Sequence, residues 1–299
     1  MTGKLPVERT IADAYRFAFA RFHSVLGTVW LPYLALGLIA LALVRLVTPD
    51  LPQILASRAF DLSAGIEVLR LLVLVAVFAF VIGAMVTVDL QRKAMGTHAG
   101  PAYVFFSVRA PVWRMAGASF LAVIVVGVVA VVAALVCFAI WSAAGALGAI
   151  GALVRLLAVL ATIALIIYIA LRLMFFLPAV VVAENSIGLE RAWILGGHNF
   201  WRILVVTIAV ILPVAILFHL LSWALFGPFL SWSGLGSHMG MREMLRAGFM
   251  QYGPKGYLML ALQLLERIVL VGLINGAIAS AYLAVSRNTV TPDSPAATP

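Results

Sequence analysis

Charge is what this sequence has least of. Asp, Glu, Lys and Arg together make up 10% of the 299 residues, against about a quarter in an average soluble domain. Hydrophobic residues make up 65% and the mean hydropathy is +1.15. That leaves too little polar surface to cover a soluble globule, so an integral membrane protein is expected. Cysteine is almost missing. Cys137 stands alone inside an apolar run, which excludes an intrachain disulfide and a thiolate metal site. Carboxylates are scarce, 11 against 20 Lys and Arg, for a net charge of +9. In a soluble chain that excess would suggest nucleic acid. Here the cations sit between apolar runs, so they read as a positive-inside bias and an attraction to anionic lipid headgroups, with no nucleic-acid partner. A cleavable signal pattern is lacking too. Residues 1–24 mix Glu8 and Asp13 among basic residues and contain no early apolar core.

What is present is long apolar runs. Crossing the hydrocarbon core takes about 20 mainly apolar residues. Six segments qualify: 25–47, 68–90, 115–141, 150–178, 201–226 and 257–285. Lipid offers no hydrogen-bond partner, so each must be helical, and the runs do not alternate as barrel strands do. The expected fold is an all-α polytopic membrane protein with about six transmembrane helices, one domain over 1–287 and a disordered polar tail over 288–299. With the N-terminus in the cytoplasm, twelve Lys and Arg residues fall on the inner side and seven on the other. This bias points to both termini in the cytoplasm.

Three inner connections carry amphipathic stretches expected to lie in the membrane interface. Before the first span, Ile11, Tyr15, Ala18 and Phe22 share one helical face, while Arg9, Asp13 and Arg16 lie on another at ion-pair spacing. Before the third, residues 101–114 are aromatic and basic and are broken by Pro111. Before the fifth, Ser186 is expected to cap a short helix, Glu190 lies in its first turn, and Gly196–Gly197 end it. Asn199 can then cap the next span. Arg16, Arg114, Trp193, Trp201 and Arg202 are the expected interfacial anchors. The long outer loop 227–256 has room for a lid or a further interfacial helix around Met241–Met250.

The stretches also resemble one another. Ala14-Tyr15, then Phe22, Val25 and Leu26, recur 178 residues later as Ala192-Trp193, then Phe200, Ile203 and Leu204. Val112 through Met115 resemble Phe200 through Ile203. A threefold unit of interfacial helix plus hairpin, over 5–90, 91–178 and 179–287, is one reading. Chance matching among common apolar residues is the other.

The stretch LPAVVVAENSIGLERAWILGGHNFWRIL, residues 177–204, resembles the best-marked segment of the bacterial glycerophosphoryl diester phosphodiesterase membrane-domain family and its uncharacterised six-span relatives. The likeness rests on Arg172, Leu177-Pro178-Ala179-Val180, Ala192-Trp193 and Gly197 through Arg202, with His198-Asn199 standing before Phe200. IADAYRFAFARF (11–22) and AIASAYLAVSR (277–287) resemble the family as well. The resemblance implies a fold more than an activity. In named members hydrolysis belongs to a separate soluble barrel with a His-Arg-Gly motif and acidic metal ligands, and this chain has no such motif.

Motifs for chemistry are missing. There is no G-x-S-x-G elbow, P-loop, G-x-G-x-x-G, HxxxH or HExxH. Neither a metal nor a cofactor is expected. The sharpest signals are charges inside apolar runs. Arg172, Glu266 and Arg267 are a candidate polar intramembrane site, since charge at that depth faces a partner or a wet cavity. A structural interhelical pair is the other reading, and the favoured one. Gly272, Gly276 and Ser280 form a small-residue stripe suited to close helix packing or to a dimer face.

The leading expectation is a non-enzymatic protein of membrane organisation or of a lipid or envelope process, contacting anionic lipids and possible copies of itself or other membrane proteins. A transporter or channel for a small or amphiphilic solute is one alternative. An intramembrane enzyme of lipid metabolism is another.

Overall fold

The computed structural model describes residues 4–47, 62–97, 109–226 and 255–287. The expected helix around Met241–Met250, most of the stretch 101–114 and the tail 288–299 lie outside them. The described chain is helical, with no strand among the described residues. In order the helices are α1 (Val7–Ala20), α2 (Phe22–Val47), α3 (Leu62–Ala94), α4 (Ala110–Ala143), α5 (Gly148–Met174), α6 (Leu177–Glu184), α7 (Leu189–Gly197), α8 (Phe200–Phe226) and α9 (Lys255–Arg287). A one-turn 3₁₀ segment, Ala144–Leu147, joins α4 to α5.

Six stretches are long and apolar enough to cross a membrane, and they fall on the six expected segments: Phe22–Ala40, Gly65–Ala94, Ala110–Ala143, Ile150–Glu184, Phe200–Leu225 and Ala261–Ser286. The chain is an all-α, multi-pass membrane protein. Pro32 and Pro213 sit inside α2 and α8, which a spanning helix tolerates when neighbours satisfy the freed carbonyl.

The spans form hairpins α2–α3, α4–α5 and α8–α9, and both ends of the described chain meet on one side, the terminal face. α9 is the spine: 67% of its span is buried, against 6% for the spans of α4 and α5. It packs on α1, α2, α3 and α8. The small-residue stripe is where α1 lies. A Cβ at Gly272 would meet Val25 at 3.0 Å, one at Gly276 would meet Phe17 at 3.0 Å, and Ser280 donates to Asp13 Oδ2 at 2.8 Å. The stripe therefore serves packing within the chain. α1 turns Thr10, Ala14 and Ala18 inward and carries the expected Arg9–Asp13 pair at 3.9 Å.

Three local expectations are corrected. Pro111 does not break the stretch before the third span; it lies in the first turn of α4, where its missing N–H costs nothing. The run 150–178 does not continue as one helix. It yields at Phe175–Phe176, and Pro178 opens α6. Ser186 does not cap α7. Gly188 occupies that position with φ 54° and no side-chain cap. Asn185, with φ 55°, ends α6 in the left-handed region. A Cβ at Gly188 would fall 2.3 Å from Val180 Cγ1, so backbone and space both demand glycine there.

Candidate functional site

The polar side chains inside the bundle collect in the half next to the terminal face. At the end of α3, Asp89 and Lys93 are one turn apart and pair at 2.8 Å, with side chains 0% and 6% exposed. Thr28 of α2 joins them: Lys93 Nζ donates to its Oγ1 at 2.6 Å, and its hydroxyl donates to Asp89 Oδ2 at 2.8 Å. Arg21 donates to the Lys93 carbonyl at 3.0 Å. On the opposite side of α3, Gln91 Nε2 donates to Asn275 Oδ1 of α9 at 2.9 Å. Asp89 Oδ1 and Gln91 Oε1 are buried without a hydrogen-bond partner. A charge held this deep is kept by its counter-ion and donors, because an unpaired one is far costlier than a paired one. Sequence reading did not assemble this seam. The signal available was the i, i+4 spacing of Asp89 and Lys93 in an otherwise apolar run.

Arg172 serves a second junction. Its guanidinium lies 3.9 Å from the Trp193 ring centroid. It donates to the Tyr168 hydroxyl at 2.7 Å and to the Trp193 carbonyl at 3.3 Å. Phe200 completes the aromatic wall, 4.8 Å from Tyr168. Gly196 and Gly197 belong to this contact. A Cβ at Gly196 would sit 2.3 Å from the Arg172 carbonyl oxygen, and one at Gly197 would sit 2.6 Å from the guanidinium. They are the last two residues of α7, and neither has a positive φ. Close approach to α5 requires them.

Glu266 and Arg267 lie elsewhere. α5 comes near α9 around Ile274–Ile278, so these two residues are roughly 10 Å or more further along α9 than the level of Arg172. Glu266 is partly buried and Arg267 exposed. The structure does not bring the three together.

The expected anchors divide. Arg16 is exposed, and Trp201 is 73% exposed, on the surroundings of the bundle. Arg114 donates to Asn185 Oδ1, and Arg202 donates to the Leu5 carbonyl at 2.8 Å, so both tie segments of the chain. Leu5 N–H in turn donates to Asn199 Oδ1 at 3.0 Å, fastening the N-terminal segment under α8.

Two clefts open among these groups. One, about 460 Å³, lies between α1, the end of α3 and α9, and is lined in part by Lys4, Arg9, Asp13 and Ser280. The other, about 420 Å³, lies between α3, α6 and α9, and is lined in part by Arg92, Thr97 and Tyr282. Both touch Leu283. Two further grooves have another character. Those between α4 and α5 (about 400 Å³) and between α5, α8 and α9 (about 250 Å³) are lined mainly by Val, Ala, Leu and Ile, with Thr162 and Thr207 as their polar members. Among the described residues no three His, Cys, Asp or Glu side chains converge to hold a metal.

Fold and site together define a helical multi-pass membrane protein with a polar, basic terminal face. Compared with models of protein families, with characterised proteins and with solved structures, the chain matches none.

Proposed function

We propose that this is a bacterial inner-membrane protein with both termini in the cytoplasm, whose terminal face engages anionic lipid headgroups in a non-enzymatic role in membrane organisation or a lipid or envelope process. The observation that carries the reading is the placement of cations. Lys4, Arg9 and Arg92 line the two terminal-face clefts, while the grooves between α4 and α5 and between α5, α8 and α9 are mainly apolar. Each basic residue close to an anionic surface contributes about 1 kcal/mol. Membership of the six-span membrane-domain family is part of this proposal and lends it no hydrolytic activity.

The orientation is tested in cells with Cys137 replaced by Ser and single cysteines placed at Thr97, Ser186 or Ser142, all exposed. Thr97 and Ser186 belong to the terminal face and Ser142 to the other. An impermeant thiol reagent added outside should label only the Ser142 position. Labelling at Thr97 or Ser186 would invert the molecule and remove the headgroups of the cytoplasmic leaflet as its ligand.

A further inference from the structure

Around the last turns of α3 most polar side chains have partners. Asp89 and Lys93 hold each other, and Gln91 holds Asn275. Arg92 does not. It is partly buried, and among the described residues its guanidinium has no hydrogen bond or ion pair. A guanidinium carries five donors that never lose their charge, and placing them out of bulk water without an acceptor is unfavourable. Arg92 lines the 420 Å³ cleft between α3, α6 and α9.

The other charges around it are already engaged or are also cations. Glu184, at the end of α6, accepts from the Tyr282 hydroxyl at 3.1 Å and pairs with Arg191 at 3.4 Å. Beyond Leu283, Asp13 is taken by Arg9 and Ser280. Lys4, in the adjoining cleft, is exposed and has no partner among the described residues. Among the described residues, the two clefts thus offer two cations without partners on either side of Leu283, while Glu184 and Asp13 already have partners. Met95, Val182 and Leu283 add an apolar wall to the Arg92 side. Planar donors above an apolar wall suit a phosphate ester joined to a hydrocarbon body.

We infer that the two neighbouring clefts that share Leu283 bind the phosphate ester of one anionic glycerophospholipid, with Arg92 as its main donor and Lys4 as the second cation. This deepens the headgroup reading above and rests on it. A diffuse basic surface attracts many lipids weakly; this site takes one lipid in a fixed place.

The test uses the full-length protein in detergent, followed by native mass spectrometry. Dioctanoyl phosphatidylglycerol, dioctanoyl phosphatidylcholine, glycerol 3-phosphate and inorganic phosphate are titrated separately. One saturable phosphatidylglycerol per chain is expected, with weaker phosphatidylcholine binding and no competition from the two soluble phosphates. Arg92→Gln should weaken that affinity about tenfold, the loss of one charge-assisted contact of about 1.4 kcal/mol. Lys4→Gln should weaken it about threefold. Arg155→Gln, at the far end of the bundle and lining neither cleft, should leave it unchanged. Unaltered binding in Arg92→Gln overturns the site, even if the preference for anionic lipid persists. Equal affinity for glycerol 3-phosphate overturns the lipid as occupant. Equal binding of the two lipids by the wild-type protein fails the headgroup reading itself. Should Arg92→Gln not fold, Lys4→Gln decides: unweakened binding there overturns the inference, because Lys4 is exposed and holds no part of the bundle.

Discussion

The two ends of this bundle are built differently. Next to the terminal face, polar contacts tie distant segments together: Thr28 with Asp89 and Lys93, Gln91 with Asn275, Leu5 with Asn199 and Arg202, Asp13 with Ser280, and Arg172 with Trp193. At the other end the comparable described contact is Arg155, which donates to the Trp141 carbonyl at 3.2 Å and lies over the Trp141 ring. Apolar burial follows the same gradient. Phe176, Leu177 and Leu195 are fully enclosed, whereas Leu135, Phe138 and Ile150 on the α4–α5 hairpin are 64%, 71% and 70% exposed. In lipid, apolar side chains gain little by facing each other instead of acyl chains, so helix association depends on close backbone approach and polar contacts. The half where glycines let helices cross closely and polar side chains meet across them is the half that packs.

Within the packed half, α1 and α7 solve one problem in two ways. Each precedes a hairpin and crosses the second helix of another, α1 on α9 and α7 on α5. The α1 crossing puts its glycines, Gly272 and Gly276, on the span. The α7 crossing puts them, Gly196 and Gly197, on the short helix. We propose that the two belong to equivalent units, with α1 closing a ring back onto the last hairpin.

The comparison breaks most sharply at Gly196. Its Cβ would meet backbone, which cannot move aside, so Gly196→Leu should abolish recovery of folded protein in mild detergent. Gly276→Ala, whose Cβ would lie 3.0 Å from the Phe17 ring and 3.2 Å from the Ala14 backbone, should cost less, about 1–3 kcal/mol. Similar yields from the two would show that the crossings are not tight. The next effect is at the seam. Asp89→Asn strands a buried ammonium and should cost about 3–5 kcal/mol, while Asp89→Leu with Lys93→Met recovers most of it. Denaturant unfolding of the three variants measures this, and a silent Asp89→Asn would remove the seam from the account. The smallest effect is at the far end. Arg155→Gln should lower stability by about 0.5–1 kcal/mol, and a loss as large as that of Asp89→Asn would erase the difference between the ends.

The spans were legible because twenty apolar residues in a row leave few other structures open. Among the described residues, the α1 face and the Arg9–Asp13 pair were legible from helical spacing. The breaks were harder. Asn185 and Gly188 take positive φ in a stretch where Ser186 offered the better cap on composition. Gly196–Gly197 read as a helix end, which they are, but their glycine identity answers to Arg172 on another helix, a long-range cause invisible in local sequence. Arg172, Glu266 and Arg267 looked alike as charges in apolar runs. Their levels along different helices, which only the packing assigns, separate them. Thr28, Gln91 and Asn275 escaped notice because uncharged polar residues in a span carry little signal until a partner faces them.

The central claim, that the packed, polar end is the lipid-engaging end, is most directly tested by hydrogen–deuterium exchange of the protein in nanodiscs of zwitterionic lipid and of lipid with anionic headgroups. The account predicts added protection in the anionic discs at 4–21, 92–97 and 184–199, reversed by high salt, with the far ends of α4 and α5 around 138–150 unchanged. Equal protection in the two lipids, or a gain confined to the far end, would contradict it.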